Sequence, residues 1–114
     1  MRLLICGGRN WSERFPILDA LLELWPVIVI EGGARGADRL AREAAEWCGI
    51  PVQTYPADWS HYGKAAGGIR NQRMLDEGRP DMVLACPDPE SRGTWDMVRR
   101  AEAAGVPVRI VRPA

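Results

Sequence analysis

Two short stretches of the chain place glycine beside arginine directly after an apolar run. GGRNW (7–11) follows RLLIC, and GGARGAD (32–38) follows VIVIE. Glycine lets a backbone approach a ligand closely, and the planar guanidinium of arginine suits phosphate or carboxylate. A helix that starts after such a loop adds unpaired N–H groups and a positive dipole end. The pattern indicates an anion-binding cleft, with these candidates: Gly7, Gly8, Arg9, Gly32, Gly33, Arg35 and Gly36.

The second loop matches neither standard glycine fingerprint. The dinucleotide pattern GxGxxG needs glycine at position 31, where the chain has Glu31, and the lysine-bearing pattern GxxxxGK[ST] is absent. The alternative is that the glycines only form a tight turn between a strand and a helix.

The segment YPADWSHYGKAAGGIRNQRML (55–75) interleaves aromatic and cationic side chains. This mixture suits a base that stacks and phosphates that need neutralising. The candidates here are Lys64, Arg70, Asn71 and Arg73. The alternative is a solvated basic helix, with the aromatic rings of Trp59 and Tyr62 in the core.

A fourth stretch, PDPESRGTWDMVRRA (87–101), resembles a loop followed by a helix start. Gly93 is expected to open the helix N-terminus to a ligand and Thr94 to cap it. Asp96 is expected in the first turn, where a carboxylate complements the helix dipole.

The elements that must position these loops alternate along the chain. Short apolar runs, dense in β-branched residues, predict strands at 2–6, 27–31, 51–55, 81–86 and 107–111. Helices are expected at about 16–25, at 37–48, within 64–78 and at 94–104. The alternation predicts an α/β fold, a Rossmann-like three-layer sandwich with a five-stranded, mostly parallel sheet. Ligands bind such sheets beyond the carboxyl ends of the strands, where the strand order reverses.

Size and composition restrict the function further. The 114 residues are expected to form one domain, 1–114. Fifteen Lys and Arg balance fifteen Asp and Glu, so nucleic acid is not an expected partner. No apolar run approaches the roughly 20 residues of a membrane span, so we expect no membrane partner and a cytoplasmic location. The three cysteines form no CxxC pair, which predicts free thiols and no metal site.

The four loop segments, taken in order, resemble the SLOG superfamily, and most closely its small stand-alone members related to YspA and YpsA. The resemblance covers nearly the whole chain: GGRNW, EGGARGADRLAREAAEWCGIPV, YPADWSHYGKAAGGIRNQRML and GTWDMVRRAEAAGVPV. It implies a Rossmann-like fold that binds nucleotides or nucleotide-derived small molecules across these loops, without a further cofactor. Together with five tryptophans, several near loops or helix ends, it favours a homodimer; alternatively, the tryptophans enlarge a small core.

Two relatives in this superfamily suggest different activities. The Lonely guy phosphoribohydrolases carry R-K-x-x-M and PGGxGTxxE patterns, to which RNQRM and ESRGTWDM are similar. The glutamate of GTxxE falls on Met97, which cannot act as a carboxylate in glycosidic cleavage. In DNA-processing protein A, which handles single-stranded DNA, the corresponding segments are similar to GGARGAD and IRNQR, but a neutral, small chain fits that role poorly.

The sequence therefore supports three ordered hypotheses. The first is binding or sensing of a nucleotide-derived ligand by the glycine-arginine loops, Gly93 and Thr94. The second is a nucleotide hydrolase of the phosphoribohydrolase kind, with Arg70 orienting the ligand and Asp96 or Asp38 as the carboxylate, or Glu31 from the second loop. The third is single-stranded nucleic-acid binding. The sequence leaves open whether the chain is an enzyme.

Overall fold

The computed structural model describes residues 1–113, and strands and helices alternate along them. The elements are β1 (Arg2–Gly7), α1 (Phe15–Leu24), β2 (Ile28–Glu31), α2 (Ala37–Trp47), β3 (Val52–Thr54), α3 (Trp59–Tyr62), a 3₁₀ turn (Gly63–Ala65), α4 (Ala66–Asp76), β4 (Met82–Cys86), α5 (Arg92–Ala103) and β5 (Val108–Ile110). All five predicted strands are present, with ends that differ by at most one residue.

The sheet is parallel throughout, in the order β3-β2-β1-β4-β5. Alternate residues of β1 serve different layers: Leu3 and Ile5 pack in the core cluster with α1 and α2, whereas Leu4 and Cys6 pack with α4 and α5. The sheet is therefore covered on both faces, and the predicted α/β sandwich is confirmed. The strand order reverses between β1 and β4, which places the switch point at Gly7 and Cys86.

Two details of the helices differ from the prediction. α5 begins at Arg92, so Thr94 is not its cap but a buried residue inside the first turn, and Asp96 lies beyond that turn. The helix expected within 64–78 is present as α4, but a short helix and a 3₁₀ turn that the sequence did not indicate precede it, from Trp59 to Ala65. Trp59 and Tyr62 are 49% and 46% exposed, so the alternative that placed both rings in the core is wrong.

Neither membrane nor metal features stand out in the structure. Along residues 1–113, no helix combines the length and the apolarity that crossing a bilayer requires. Over the same residues, no three His, Cys, Asp or Glu side chains are grouped so as to hold a metal ion.

The loops after β1 and β2 meet through backbone atoms. The Gly8 carbonyl accepts the N–H groups of both Trp11 (3.2 Å) and Ala37 (3.1 Å). Gly36 has a φ of +79°, and a Cβ added there would collide with the Gly8 carbonyl oxygen and lie 2.6 Å from that of Arg9. A side chain at position 36 would thus separate the two loops.

Gly36→Ala is expected to lower the free energy of unfolding by more than about 3 kcal/mol, because backbone strain and overpacking add at this position. Gly49→Ala is the matched control: its φ is +73°, but nothing lies within 4 Å of the added Cβ. Strain alone predicts a loss of about 1–2 kcal/mol there. Urea denaturation measures both, and equal losses would mean that the loop contact contributes nothing.

Candidate functional site

A cleft of about 440 Å³ lies at the carboxyl ends of β1 and β4, at the switch point of the sheet. Its walls come from the loops after β1, β2 and β4 and from α3, α4 and the start of α5. The predicted site residues that line it are Gly7, Gly8, Arg9, Arg35, Asp38, Arg70, Asn71, Gly93 and Thr94. The structure thus brings together residues from all four stretches singled out in the sequence.

The other predicted site residues lie elsewhere. Gly32 and Gly33 line a neighbouring cavity, and Gly36 forms the loop contact described above. Lys64 is exposed in the 3₁₀ turn, and Arg73 forms an ion pair with Glu77 (2.9 Å) on the surface.

Glu31 is fully buried and holds the loop that follows β2. Its carboxylate accepts the backbone N–H of Gly33 and the hydroxyl of Thr54, both at 2.7 Å. The residue that breaks the dinucleotide fingerprint therefore shapes this turn. Glu31 is not among the residues that line the cleft, so its side chain is not placed for chemistry there.

Asp38 is the buried carboxylate of the cleft, with only 5% of its surface exposed. Burial raises its pKa to about 6, against the opposing effects of a hydrogen bond from the Ala34 N–H (3.2 Å) and the nearby charge of Arg70. The neighbouring carboxylate of Glu31 contributes to the raised pKa in the same direction as burial. A carboxyl group that titrates near pH 6 in a cleft can both accept and donate a proton at neutral pH.

Two adjacent residues of α4 connect the loops around the cleft. Arg70 donates from Nη1 to the Gly32 carbonyl (2.6 Å) and from Nε to the Asn71 amide oxygen (3.0 Å). Asn71 in turn donates to the Gly93 carbonyl (3.1 Å) and to Asp96 (3.0 Å). The side chains of Arg70 and Asn71 therefore connect the loop after β2 to the start of α5 and fix their relative position.

Asp96 belongs to this network and does not line the cleft. Partial burial would raise its pKa, but hydrogen bonds from Arg100 (2.8 Å) and Asn71 outweigh burial and hold the pKa below its usual value. Asp96 is thus an ionised partner of a nearby arginine, two residues further into α5 than the sequence indicated.

Three arginines on the rim of the cleft form no ion pair within residues 1–113. They are Arg9, Arg35 and Arg92, and all three are exposed. Arg9 lies over the Trp59 ring, 5.6 Å from its centroid. Helix geometry gives the Gly93 and Thr94 N–H groups no intrahelical acceptor, and both residues line the same cleft.

The sequence prediction omitted some residues of this site. Arg92 was missed because the start of α5 was placed two residues late. Asp88 was missed although an acidic residue just after a switch-point strand is a usable signal. It accepts the N–H groups of Asn10 (3.0 Å) and Glu90 (2.8 Å), joining the β1 and β4 loops.

Fold and site together define a small Rossmann-type α/β protein with a cationic cleft at its switch point. A family model described as the YspA, cpYpsA-related SLOG family matches residues 1–62. The chain is also 38% identical over 117 residues to the Gene 61 protein of Mycobacterium phage D29, covering 94% of this chain and 93% of that protein. The chain belongs to this SLOG family, which confirms the resemblance noted in the sequence.

A solved structure supports the fold at greater distance. DNA processing protein A from Streptococcus pneumoniae superposes with a TM-score of 0.55 at 16% identity, over 95% of this chain. The chain spans 58% of the length of that protein. At this level of identity the similarity shows the fold alone.

Asp38→Asn tests the cost of the buried carboxylate. Folding raises the pKa of Asp38 from 3.8 to about 6. The free energy of unfolding of the wild type therefore falls as the pH rises from about 4 to about 6, and it stays at the lower value above about pH 6. Asparagine keeps an oxygen for the Ala34 N–H but carries no charge. The variant should therefore gain stability at pH 7.5, by up to about 3 kcal/mol, and little of that gain should remain at pH 3.5.

Urea denaturation at the two pH values measures this effect. Asp96→Asn is the control with the opposite sign, because the lowered pKa of Asp96 makes its charged form stabilising at pH 7.5. A loss of stability in Asp38→Asn at pH 7.5 would contradict the raised pKa of Asp38.

Proposed function

We propose that this protein binds a nucleotide-derived ligand and holds a phosphate of that ligand in the cleft. The observation that carries the proposal is the convergence of three arginines without ion pairs in residues 1–113 and the first turn of α5 on one cavity. The membership of the SLOG family supports a nucleotide-related ligand.

The first turn of α5 suits a phosphate for electrostatic reasons. The Gly93 and Thr94 N–H groups sit at the positive end of the helix dipole. Gly93 has no neighbour within 4 Å of a built Cβ, so the backbone is accessible on that side. A phosphate there receives charge-assisted hydrogen bonds, each worth about 1.5–3 kcal/mol.

Arg9 and Trp59 form the part of the cleft that suits the remainder of the nucleotide. Trp59 lines the cavity and is 49% exposed as a residue, so apolar surface is available to a ligand there. Stacking of a base on an aromatic side chain contributes about 1–3 kcal/mol. The guanidinium of Arg9 beside the ring keeps a cation close to the phosphate and the base at once.

Arg35→Ala is expected to weaken nucleotide binding by at least about tenfold, because it removes one charge-assisted contact worth about 1.4 kcal/mol or more. Isothermal titration with the four ribonucleoside monophosphates measures the change. Arg39→Ala is the matched control, since Arg39 is an equally charged, exposed residue that pairs with Glu43 and lines none of the cavities described here.

Two results would contradict the proposal. One is that none of the monophosphates binds the wild type at millimolar concentration. The other is that the Arg39 and Arg35 variants weaken binding equally, which would indicate a general charge effect rather than a site.

Hydrolysis of the nucleotide is the second candidate function, and Asp38 favours it. Its carboxyl group lines the cleft, is buried and has a pKa of about 6, near the range that suits proton transfer at neutral pH. Asp96 is tied to Arg100 outside the cleft, and Met97 is fully buried in the core cluster of α4 and α5. Of the carboxylates considered for this role, the placement of Asp38 fits best.

Chromatographic detection of free base or free phosphate tests this second candidate. If turnover occurs, Asp38→Asn should lower kcat by at least about 100-fold, the usual contribution of a general acid or base. Asp96→Asn should retain most of the activity. Equal rates in wild type and Asp38→Asn would exclude Asp38 from the reaction.

The homodimer expected from the sequence stays a prediction. Trp47 is 77% exposed beside a mainly apolar groove of about 270 Å³ between α1 and α2, whose rim carries both Arg14 and Glu43. A two-fold axis places the same surface on both partners, and a surface carrying both charge signs can pair with itself. Light scattering of the purified chain measures the molar mass directly.

A further inference from the structure

We propose that the ligand carries two phosphoryl groups, and that a second cavity beside the cleft binds the one that the cleft does not hold. This outer cavity has a volume of about 430 Å³ and is bounded by the β2 loop, by Pro56 and Ala57 after β3, and by Trp59. The inference rests on the proposed function, because it identifies the class of nucleotide that the site accepts.

The outer cavity adjoins the cleft and shares several of its lining residues. Arg9, Arg35 and Arg70 line both cavities, and so do Ala34 and Trp59. The three arginines therefore border both cavities. A ligand that occupies one space brings its charge close to the cations that also face the other.

The charge balance of the two cavities differs. The cleft includes three carboxylates, Asp38, Asp88 and Glu90, among its lining residues. The outer cavity has three arginines and, among the described residues that line it, no carboxylate. Arg70 lies near Asp38, but Arg9 and Arg35 form no ion pair within residues 1–113. Cations without a counter-charge favour an anion, so the outer cavity is the more strongly selective of the two for a phosphate.

The hydrogen bonds of the arginines leave donors for that anion. Arg70 uses Nη1 and Nε on Gly32 and Asn71, and its Nη2 group has no hydrogen-bond partner within residues 1–113. Arg35 is exposed, and none of its side-chain donors has a partner there either. Folding therefore uses few of these donors, and a tetrahedral anion matches the rest.

The walls of the outer cavity favour a phosphate over a second base. Gly33, Pro56 and Ala57 offer little flat surface for stacking, and the aromatic ring available, Trp59, is shared with the cleft. A base in the cleft that stacks on Trp59 leaves the arginine side of the outer cavity to a small, charged group. Nucleoside 5′-diphosphates and nucleoside 3′,5′-bisphosphates both supply such a group.

Isothermal titration of the wild type compares three forms of each nucleoside: the 5′-monophosphate, the 5′-diphosphate and the 3′,5′-bisphosphate. We expect at least one of the doubly phosphorylated forms to bind at least tenfold more tightly than the monophosphate. The form that gains more shows whether the two groups are adjacent or on opposite sides of the ribose.

Ala57→Glu places a carboxylate in the outer cavity. The ratio of the affinity for the doubly phosphorylated form to the affinity for the monophosphate should then fall from tenfold or more to about one. Ser60→Glu is the matched control: it adds the same charge three residues away, at an exposed position that lines neither cavity, and should leave the ratio as in the wild type. Circular dichroism of both variants checks that they are folded.

A ratio near one in the wild type, or a ratio that Ala57→Glu leaves intact, would overturn the second phosphate site while monophosphate binding still supports the proposed function. Absence of binding by every form would overturn both. Binding of a doubly phosphorylated form alone would support the second site and identify it as essential for affinity.

Discussion

The contact between the β1 and β2 loops at Gly8 and Gly36 is the constraint from which the site follows. The Gly8 carbonyl accepts from the start of α2 as well as from its own loop, and no Cβ fits at position 36. Because backbone meets backbone, the two loops cannot separate without losing the hydrogen bond from the Ala37 N–H to the Gly8 carbonyl. Arg9 and Arg35, one in each loop, are therefore held on the same cleft despite their like charge.

The polar groups of the site divide into two sets that behave differently. Those inside, including Glu31, Asp38 and Asn71, all have partners, and no buried side-chain polar atom in residues 1–113 lacks one. Those at the rim, Arg9 and Arg35, have no ion pair within the same residues. The inner set joins the loops through hydrogen bonds, and a proposed ligand would then meet loops that are already held in place. The outer set gives the cleft its charge.

Particular residues show what the sequence could predict and what it could not. The strands were predictable because their apolar runs are short, β-branched and buried on both faces. The start of α5 was not, because Ser91 and Thr94 both resemble caps, and the Ser91 hydroxyl instead accepts the Asp88 N–H at 2.7 Å. Because α5 starts at Arg92, Asp96 lies beyond the first turn, where Asn71 and Arg100 hold it, and it does not line the cleft. The role of Glu31 was hidden because one of its partners, Thr54, lies on another strand.

The short helix α3 has no buried side chain, although its first residue lines both cavities. Substitutions in this helix would alter the surroundings of the proposed ligand without leaving a void in either core cluster. The contact between Gly8 and Gly36, in contrast, has no room for an added side chain. Tolerance to substitution is therefore expected to be high in α3 and low where the two glycine loops meet, so the fold and the proposed selectivity depend on different stretches of one short chain.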